Sequence, residues 1–192
     1  MLILASASAS RARMLQAAGV AFVVQPSSID ETLLQKNAKD GVLLAQDLAA
    51  AKALSVSRQF PQALVLGGDS VLVFGDEIIS KCRDRIQAKA LLLRLGGRSH
   101  RLVSAAALAK GGELVWQARD EGLLTMRPLD GAFLDAYLAA EGEDLLSSVG
   151  CYRLEGRGSQ LFDSIKGDYF SILGLPLLPL LAALRERNVP CL

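Results

Sequence analysis

Apolar residues fall into short runs, and the spacing within and between them predicts alternating strands and helices. Residues 2–5 and 20–24 read as buried strands, and residues 64–70, Leu-Val-Leu-Gly-Gly-Asp-Ser, as another that ends at Gly67-Gly68. Residues 71–74 and 78–80 flank Gly75-Asp76-Glu77 as a hairpin. Further strands are expected from His100 to about residue 109, over 113–118 after a Lys110-Gly111-Gly112 turn, over 123–127 and over 160–165. Between them lie helical spacings. Met14, Leu15 and Ala18 share a face that Gly19 ends, and Leu43, Leu44, Leu48 and Ala51 repeat behind Asp40, a cap for a helix reaching about Ser57. Asp84 and Gln87 form a capping box ahead of Ala88, Leu91, Leu92 and Leu95, and Gly96-Gly97 stop that helix. Asp130 caps Phe133, Leu134, Tyr137 and Leu138, and Pro176 opens a last helix to about Arg187. The order implies an α/β fold: a mixed twisted sheet flanked by helices, with an antiparallel meander in the middle and a central cleft. No repeat or linker interrupts it, so residues 1–192 are expected to form one domain.

Composition narrows the function. The 192 residues are 51% hydrophobic with a net charge of +1, which fits a folded core and gives no field drawing nucleic acid or an anionic membrane. Residues 172–184 are the longest apolar stretch, but Gly174, Pro176 and Pro179 interrupt it and it is too short to span a bilayer. Cys82, Cys151 and Cys191 form no C-x-x-C and, with one histidine, make a poor zinc set, so reduced thiols and a cytoplasmic location are expected.

Several chemistries drop out. The chain has no Gly-Lys pair and hence no P-loop, no G-x-G-x-x-G behind a strand and no G-x-S-x-G. A triad would rest on His100, which suits packing or hydrogen bonding better. What remains is a set of phosphate-type donors, Ser6, Ser8, Arg11, Lys52 and Lys81, and two carboxylates, Glu31 and Asp69. A strand, then hydroxyl-rich residues, then a helix start is an anion-binding layout, although the same serines serve as ordinary helix caps. Lys52, in the small apolar run 49–53, either snorkels to solvent or points into a polar cleft. Asp69 is either a solvated turn residue or the centre on which the other groups converge. Two carboxylates with substrate phosphates are a usual way to hold Mg²⁺.

Taken together and in order, the motifs resemble the Maf family of nucleoside triphosphate pyrophosphatases, which share an inosine-triphosphatase-like fold. Leu4-Ala5-Ser6-Ala7-Ser8 with Arg11 and Leu15 is similar to the family's opening element, and Asp30-Glu31, Ala51-Lys52-Ala53, Gly67-Gly68-Asp69-Ser70 and Lys81 follow at matching places. Leu95 to His100, Ile165 to Tyr169 and Leu173-Gly174-Leu175-Pro176 complete the likeness. The chain departs from it at Ala9, Ser10, Ser70 and Cys82, and most of all over residues 146–156, where an Asp-Lys pair is replaced by Ser147-Ser148 and a glutamine by Glu155.

The resemblance implies hydrolysis of a nucleoside triphosphate to the monophosphate and pyrophosphate with Mg²⁺ or Mn²⁺, and a homodimer. It makes Asp69, Lys52 and Lys81 the catalytic candidates, with Asp69 as base, metal ligand or both. Glu31 joins Asp69 on the metal, and Ser6, Ser8, Arg11 and Glu155 bind substrate. A glutamate followed by Gly-x-Gly resembles the branch acting on 7-methyl-GTP, since ionised Glu accepts hydrogen bonds and donates none. The competing reading has Glu155 paired with Arg153 or Arg157. A nucleotide-binding regulator of septum formation without useful catalysis is the alternative function, supported by the missing Asp-Lys pair.

Overall fold

The computed structural model describes residues 1–190, so Cys191 lies outside the described residues. The chain divides into two compact units. The first contains Met1–Ser70, Val103–Glu121 and the chain from Asp168 onward. Its strands are β1 (Leu2–Leu4), β2 (Val23–Val24), residues 64–70 of β3 (Leu64–Phe74), residues 103–110 of β5 (Ser99–Lys110) and residues 113–121 of β6 (Glu113–Met126), in the order β2-β1-β3-β5-β6. β1 pairs parallel with β2 and with β3, in the register Leu2 to Leu64, Ile3 to Val65 and Leu4 to Leu66.

Strand alternation sorts these side chains onto two faces. Leu2, Leu4, Leu64 and Leu66 pack with Met14 and Leu15 of α1 (Ala9–Ala17) and Leu180 and Leu184 of α7 (Leu177–Glu186). Ile3, Ala5 and Val65 point the other way, to Val56 of α3 (Gly41–Gln59) and Ala63. Burial on both faces is why these parallel strands read as continuous apolar runs. The unit also holds α2 (Thr32–Asn37) and α6 (Tyr169–Ile172), short helices that the apolar spacing does not announce.

The second unit is Val71–Leu102 and Gly122–Gly167. Residues 72–74 of β3 pair antiparallel with β4 (Glu77–Ile79) across the expected turn. α4 (Arg85–Leu95) leads into the start of β5, and residues 122–126 of β6 pair antiparallel with β7 (Phe162–Lys166). α5 (Gly131–Glu141) packs against α4. Two short 3-10 segments, Gly142–Ser147 and Arg157–Leu161, border the stretch holding Tyr152 and Glu155.

The mixed α/β reading holds, including the helix caps: Ser8, Asp40, Asp84 and Asp130 each accept a backbone N–H in the first turn of their helices. Four details differ. β3 does not stop at Gly67-Gly68 but continues to Phe74, where residues 72–74 are paired by β4. β6 is one strand rather than two, since the polar residues 119–121 alternate between exposed and half-buried positions and need no turn. Only Val23–Val24 of the expected 20–24 strand is extended, while Val20 drops into the core. Leu43 lies on the exposed side of α3, whereas Leu44 and Leu48 are buried.

His100 is buried in the second unit, its Nε2 hydrogen-bonded to the Tyr152 hydroxyl at 2.7 Å and its ring tilted against Tyr152 and Phe162. Its Nδ1 is buried without a partner among the described residues. Burial therefore pushes the imidazole pKa down from 6.5 to about 4. The unfolded chain binds this proton between pH 6.5 and 4 and the folded chain does not. The stabilisation from a neutral His100 is thus complete above pH 6.5 and is lost as pH falls to 4, about 3 kcal/mol in all. Urea unfolding at a series of pH values should show this slope, and His100→Gln should flatten it. An unchanged slope in the variant would assign the acid sensitivity to other groups.

Candidate active site

The first unit gathers most of the sequence candidates at the middle of β3. Small residues make this possible. A Cβ on Gly67 would stand 2.1 Å from the Ala49 carbonyl oxygen and 2.7 Å from the Ala53 nitrogen, so α3 lies directly against the strand. Ala49, Lys52 and Ala53 fall at i, i+3 and i+4 on one helix face. With Ala49 and Ala53 fully buried on the glycine, Lys52 emerges beside the next residues of the strand. Its Nζ donates to Asp69 Oδ1 at 2.6 Å and pairs with Glu31 Oε1 at 2.9 Å. The Lys52 and Asp69 side chains are 14% and 13% exposed, and that of Glu31 34%. Of the two readings of Lys52, the polar one is correct. Glu31 enters from the start of α2, where Asp30 turns the chain by accepting the Thr32 N–H.

The second glycine admits an arginine. A Cβ on Gly68 would meet Arg11 Nε at 3.1 Å, Arg11 Cδ at 3.2 Å and a Leu175 methyl at 3.2 Å. Arg11 is buried, and its guanidinium donates three ways: Nε to the Gly174 carbonyl (2.8 Å), Nη1 to Ser6 Oγ (3.2 Å) and Nη2 to Ser70 Oγ (2.9 Å). Burial lowers its pKa from the usual arginine value, and the negative charges of Asp69 and Glu31 oppose that. Ser70 Oγ is in turn hydrogen-bonded to the fully buried Ser104 Oγ at 2.9 Å.

Ser6 Oγ accepts from both the Ser8 N–H and Arg11, which leaves its hydroxyl proton as a donor. Ser8 is the cap of α1, its Oγ accepting from the Arg11 N–H at 3.4 Å. The capping reading of the opening serines therefore holds for Ser8, while Ser6 is bound into the arginine network.

Lys81 and Glu155 belong to the second unit. Lys81 is exposed in the stretch after β4, and Glu155 is exposed in a turn ahead of the second 3-10 segment. Arg153 and Arg157 both pair with the buried Glu141, at 3.0 and 3.4 Å. Glu141 is the first cause of the raised Arg153 pKa, and Glu155 contributes last.

Three members of the network were not singled out from the sequence as site residues: Ser70, Ser104 and the Gly174 carbonyl. Ser70 was signalled by its place beside Asp69, and Gly174 by its motif. Ser104 is one hydroxyl in the apolar run of β5, visible only as an interruption.

Chemically, the network offers two carboxylate oxygens within reach of one ammonium, two buried or half-buried cations and a spare hydroxyl proton. Among the described residues no group of three or more His, Cys, Asp or Glu side chains is placed to hold a metal ion alone. Glu31 and Asp69 fit a divalent cation of the Mg²⁺ type, which takes one or two carboxylates and completes its shell with phosphate oxygens and water. No helix among the described residues is long and apolar enough to cross a membrane.

The family model described as Maf-like protein matches residues 1–187. A nucleoside triphosphate pyrophosphatase of Granulibacter bethesdensis is 47% identical over 191 residues, with 97% of each chain covered. A 7-methyl-GTP pyrophosphatase of Rhizobium meliloti is 46% identical over 190 residues, covering 97% of this chain and 96% of the relative. A solved nucleoside-triphosphatase/dITP/XTP pyrophosphatase of Mycobacterium abscessus is 15% identical, with a TM-score of 0.48 and coverage of 97% and 94%.

Proposed function

The chain belongs to the Maf-like protein family, and from that premise we propose that it hydrolyses nucleoside triphosphates between the α- and β-phosphorus, releasing a nucleoside monophosphate and pyrophosphate. The observation that carries this reading is Lys52 held between Asp69 and Glu31 beside the buried Arg11. Carboxylates and cations alternate there as phosphoryl transfer requires, a proton acceptor next to groups that offset phosphate charge. The family model runs through both compact units without a break, which supports reading them as one functional domain.

Asp69 is assigned as the group that accepts the proton of the attacking water. Lys52 fixes the orientation of that carboxylate and, with Arg11, offsets charge on the phosphates. Ser6 Oγ–H donates to a phosphate oxygen, and Ser8 holds the helix start that places Arg11. Glu31 and Asp69 would hold Mg²⁺ or Mn²⁺, which when bound neutralises phosphate charge and polarises the phosphoryl group. Lys81 is assigned to the departing pyrophosphate, since the cations near Asp69 are already matched by two carboxylates.

Glu155 is the proposed base-reading residue. An ionised carboxylate accepts only, which suits a base edge of N–H donors or a base carrying positive charge, as in 7-methyl-GTP. The 46% identical Rhizobium relative carries that substrate in its name.

The test is a panel of nucleotides with Mg²⁺ or Mn²⁺, scored for pyrophosphate against phosphate. Pyrophosphate is the expected product, and Glu155→Gln should lower the ratio of 7-methyl-GTP to UTP turnover by about tenfold, the scale of one hydrogen-bond mismatch at a charged group. Phosphate as the product, or tight nucleotide binding with no turnover, would overturn the reading; the second result would favour a binding regulator.

A further inference from the structure

The second unit buries a carboxylate that the proposed reaction does not use. Glu141 is the last residue of α5, and its side chain is 2% exposed. Each of its oxygens takes one arginine: Oε2 accepts from Arg153 Nη2 at 3.0 Å and Oε1 from Arg157 Nη1 at 3.4 Å. A carboxylate this buried keeps its charge only when paired and hydrogen-bonded. The two arginines flank Glu155, two positions before it and two after. Main-chain contacts shape the turn between them. The Gly156 N–H donates to the Arg153 carbonyl oxygen at 3.1 Å, which encloses Glu155 in the turn, and the Ser159 N–H donates to the Gly156 carbonyl oxygen at 3.2 Å. A Cβ on Gly158 would stand 2.5 Å from the Arg153 oxygen and 2.7 Å from its nitrogen, so the chain folds back directly on Arg153. With the turn held by its backbone, what the Glu141 contacts add is the placement of two positive charges. Asp144 is the other acidic group beside Arg153, but it is exposed and 4.0 Å away, a weak competitor for the guanidinium.

We propose that Glu141 is a positioning residue for base specificity: resting on the reading of Glu155 as the group that meets the base, Glu141 competes with Glu155 for Arg153 and Arg157 and so sets the negative charge that Glu155 presents. While Glu141 is charged, it draws one guanidinium to each of its oxygens. Once that charge is gone, both side chains turn to Glu155, which lies between them on the same turn. A base edge of N–H donors, or a base carrying positive charge, then meets a carboxylate already matched by cations. A uracil edge carries acceptors as well as a donor and depends less on that charge. The selectivity of the site is thereby controlled from the end of α5, by a side chain that no nucleotide touches.

The test compares the full chain with Glu141→Gln and with the triple variant Glu141→Gln/Arg153→Gln/Arg157→Gln, using 7-methyl-GTP and UTP as probes and thermal melts to establish folding. Glutamine keeps the shape of Glu141 and removes its charge. Glu141→Gln should raise KM for 7-methyl-GTP about tenfold, the scale of one hydrogen bond to a charged group, with kcat and the KM for UTP within about twofold of the parent. The triple variant leaves no arginine to turn to Glu155, so its KM for 7-methyl-GTP should return to within about threefold of the parent, a rescue that a merely structural role does not give. Equal rises in KM for both nucleotides, unchanged kinetics, a triple variant no better than Glu141→Gln, or a Glu141→Gln chain that does not fold would each overturn the proposal. Equilibrium binding of the same two nucleotides without divalent metal should show the same pattern in Kd and needs no turnover. A parent chain that shows this pattern yet releases no pyrophosphate would sink the hydrolytic reading and leave the assignment of Glu141 in place. An unchanged ratio in Glu155→Gln would remove the base reader, and the role of Glu141 with it.

Discussion

Asp69→Asn should lower pyrophosphate release by about 10³-fold while leaving the protein folded, a loss in the range expected when a general base is removed. Asparagine keeps the shape of aspartate and removes the charge, so a proton can no longer be accepted at that oxygen. The fold tolerates the change because Lys52 retains Glu31 at 2.9 Å, which prevents a lone ammonium from being left at a site of 14% exposure. Glu31→Gln provides the contrast. Its carboxylate is more exposed, at 34%, and its role is confined to charge and metal. A loss of about tenfold is expected, recovered in part by raising the metal concentration. Steady-state rates of both variants across a metal titration decide between the assignments. If the two variants lose activity equally and both recover with metal, Asp69 is a ligand only and the proton acceptor lies elsewhere.

Legibility in the sequence followed the range of each interaction. Caps at Ser8, Asp40, Asp84 and Asp130 were readable because the capping bond spans two or three residues. The core strands were readable because parallel strands are apolar on both faces. Lys52 stood out as a charge among alanines, but whether it snorkelled or paired depended on Asp69, 17 positions away, and on Glu31 just ahead of another helix. The arginine network was the least legible part. Arg11 and Gly174 are 163 positions apart and meet through a backbone carbonyl, an atom every residue carries. Ser70 and Ser104 meet across 34 positions. Gly67-Gly68 were misread as a strand end because the same dipeptide serves as a turn signal and as a device for close approach. The distinction lies in what packs above them, which no local pattern contains.

That distinction leads to the largest expected effect on stability. Gly67→Ala places a methyl 2.1 Å from the Ala49 oxygen and 2.7 Å from the Ala53 nitrogen, both main-chain atoms of α3 that cannot turn aside as a side chain would. The helix must move away from the strand or the strand must bend, and overpacking of this kind costs about 3 kcal/mol. For a domain of this size the melting temperature should fall by roughly 6–12 °C. Lys52 moves with α3, so turnover should also drop when measured well below the new melting temperature. Gly68→Ala is the control on the neighbouring residue. Its methyl meets Arg11 Nε, Arg11 Cδ and a Leu175 methyl at 3.1–3.2 Å, side-chain atoms that can yield a few tenths of an ångström. About 1 kcal/mol of destabilisation is expected there, with the Lys52–Asp69 pair left in place. Thermal melts of the two variants measured side by side test the argument. Equal shifts would mean that the contact of α3 with β3 is no tighter than that of Arg11, and that the position of Lys52 is set by its carboxylate partners instead of by the glycine beneath its helix.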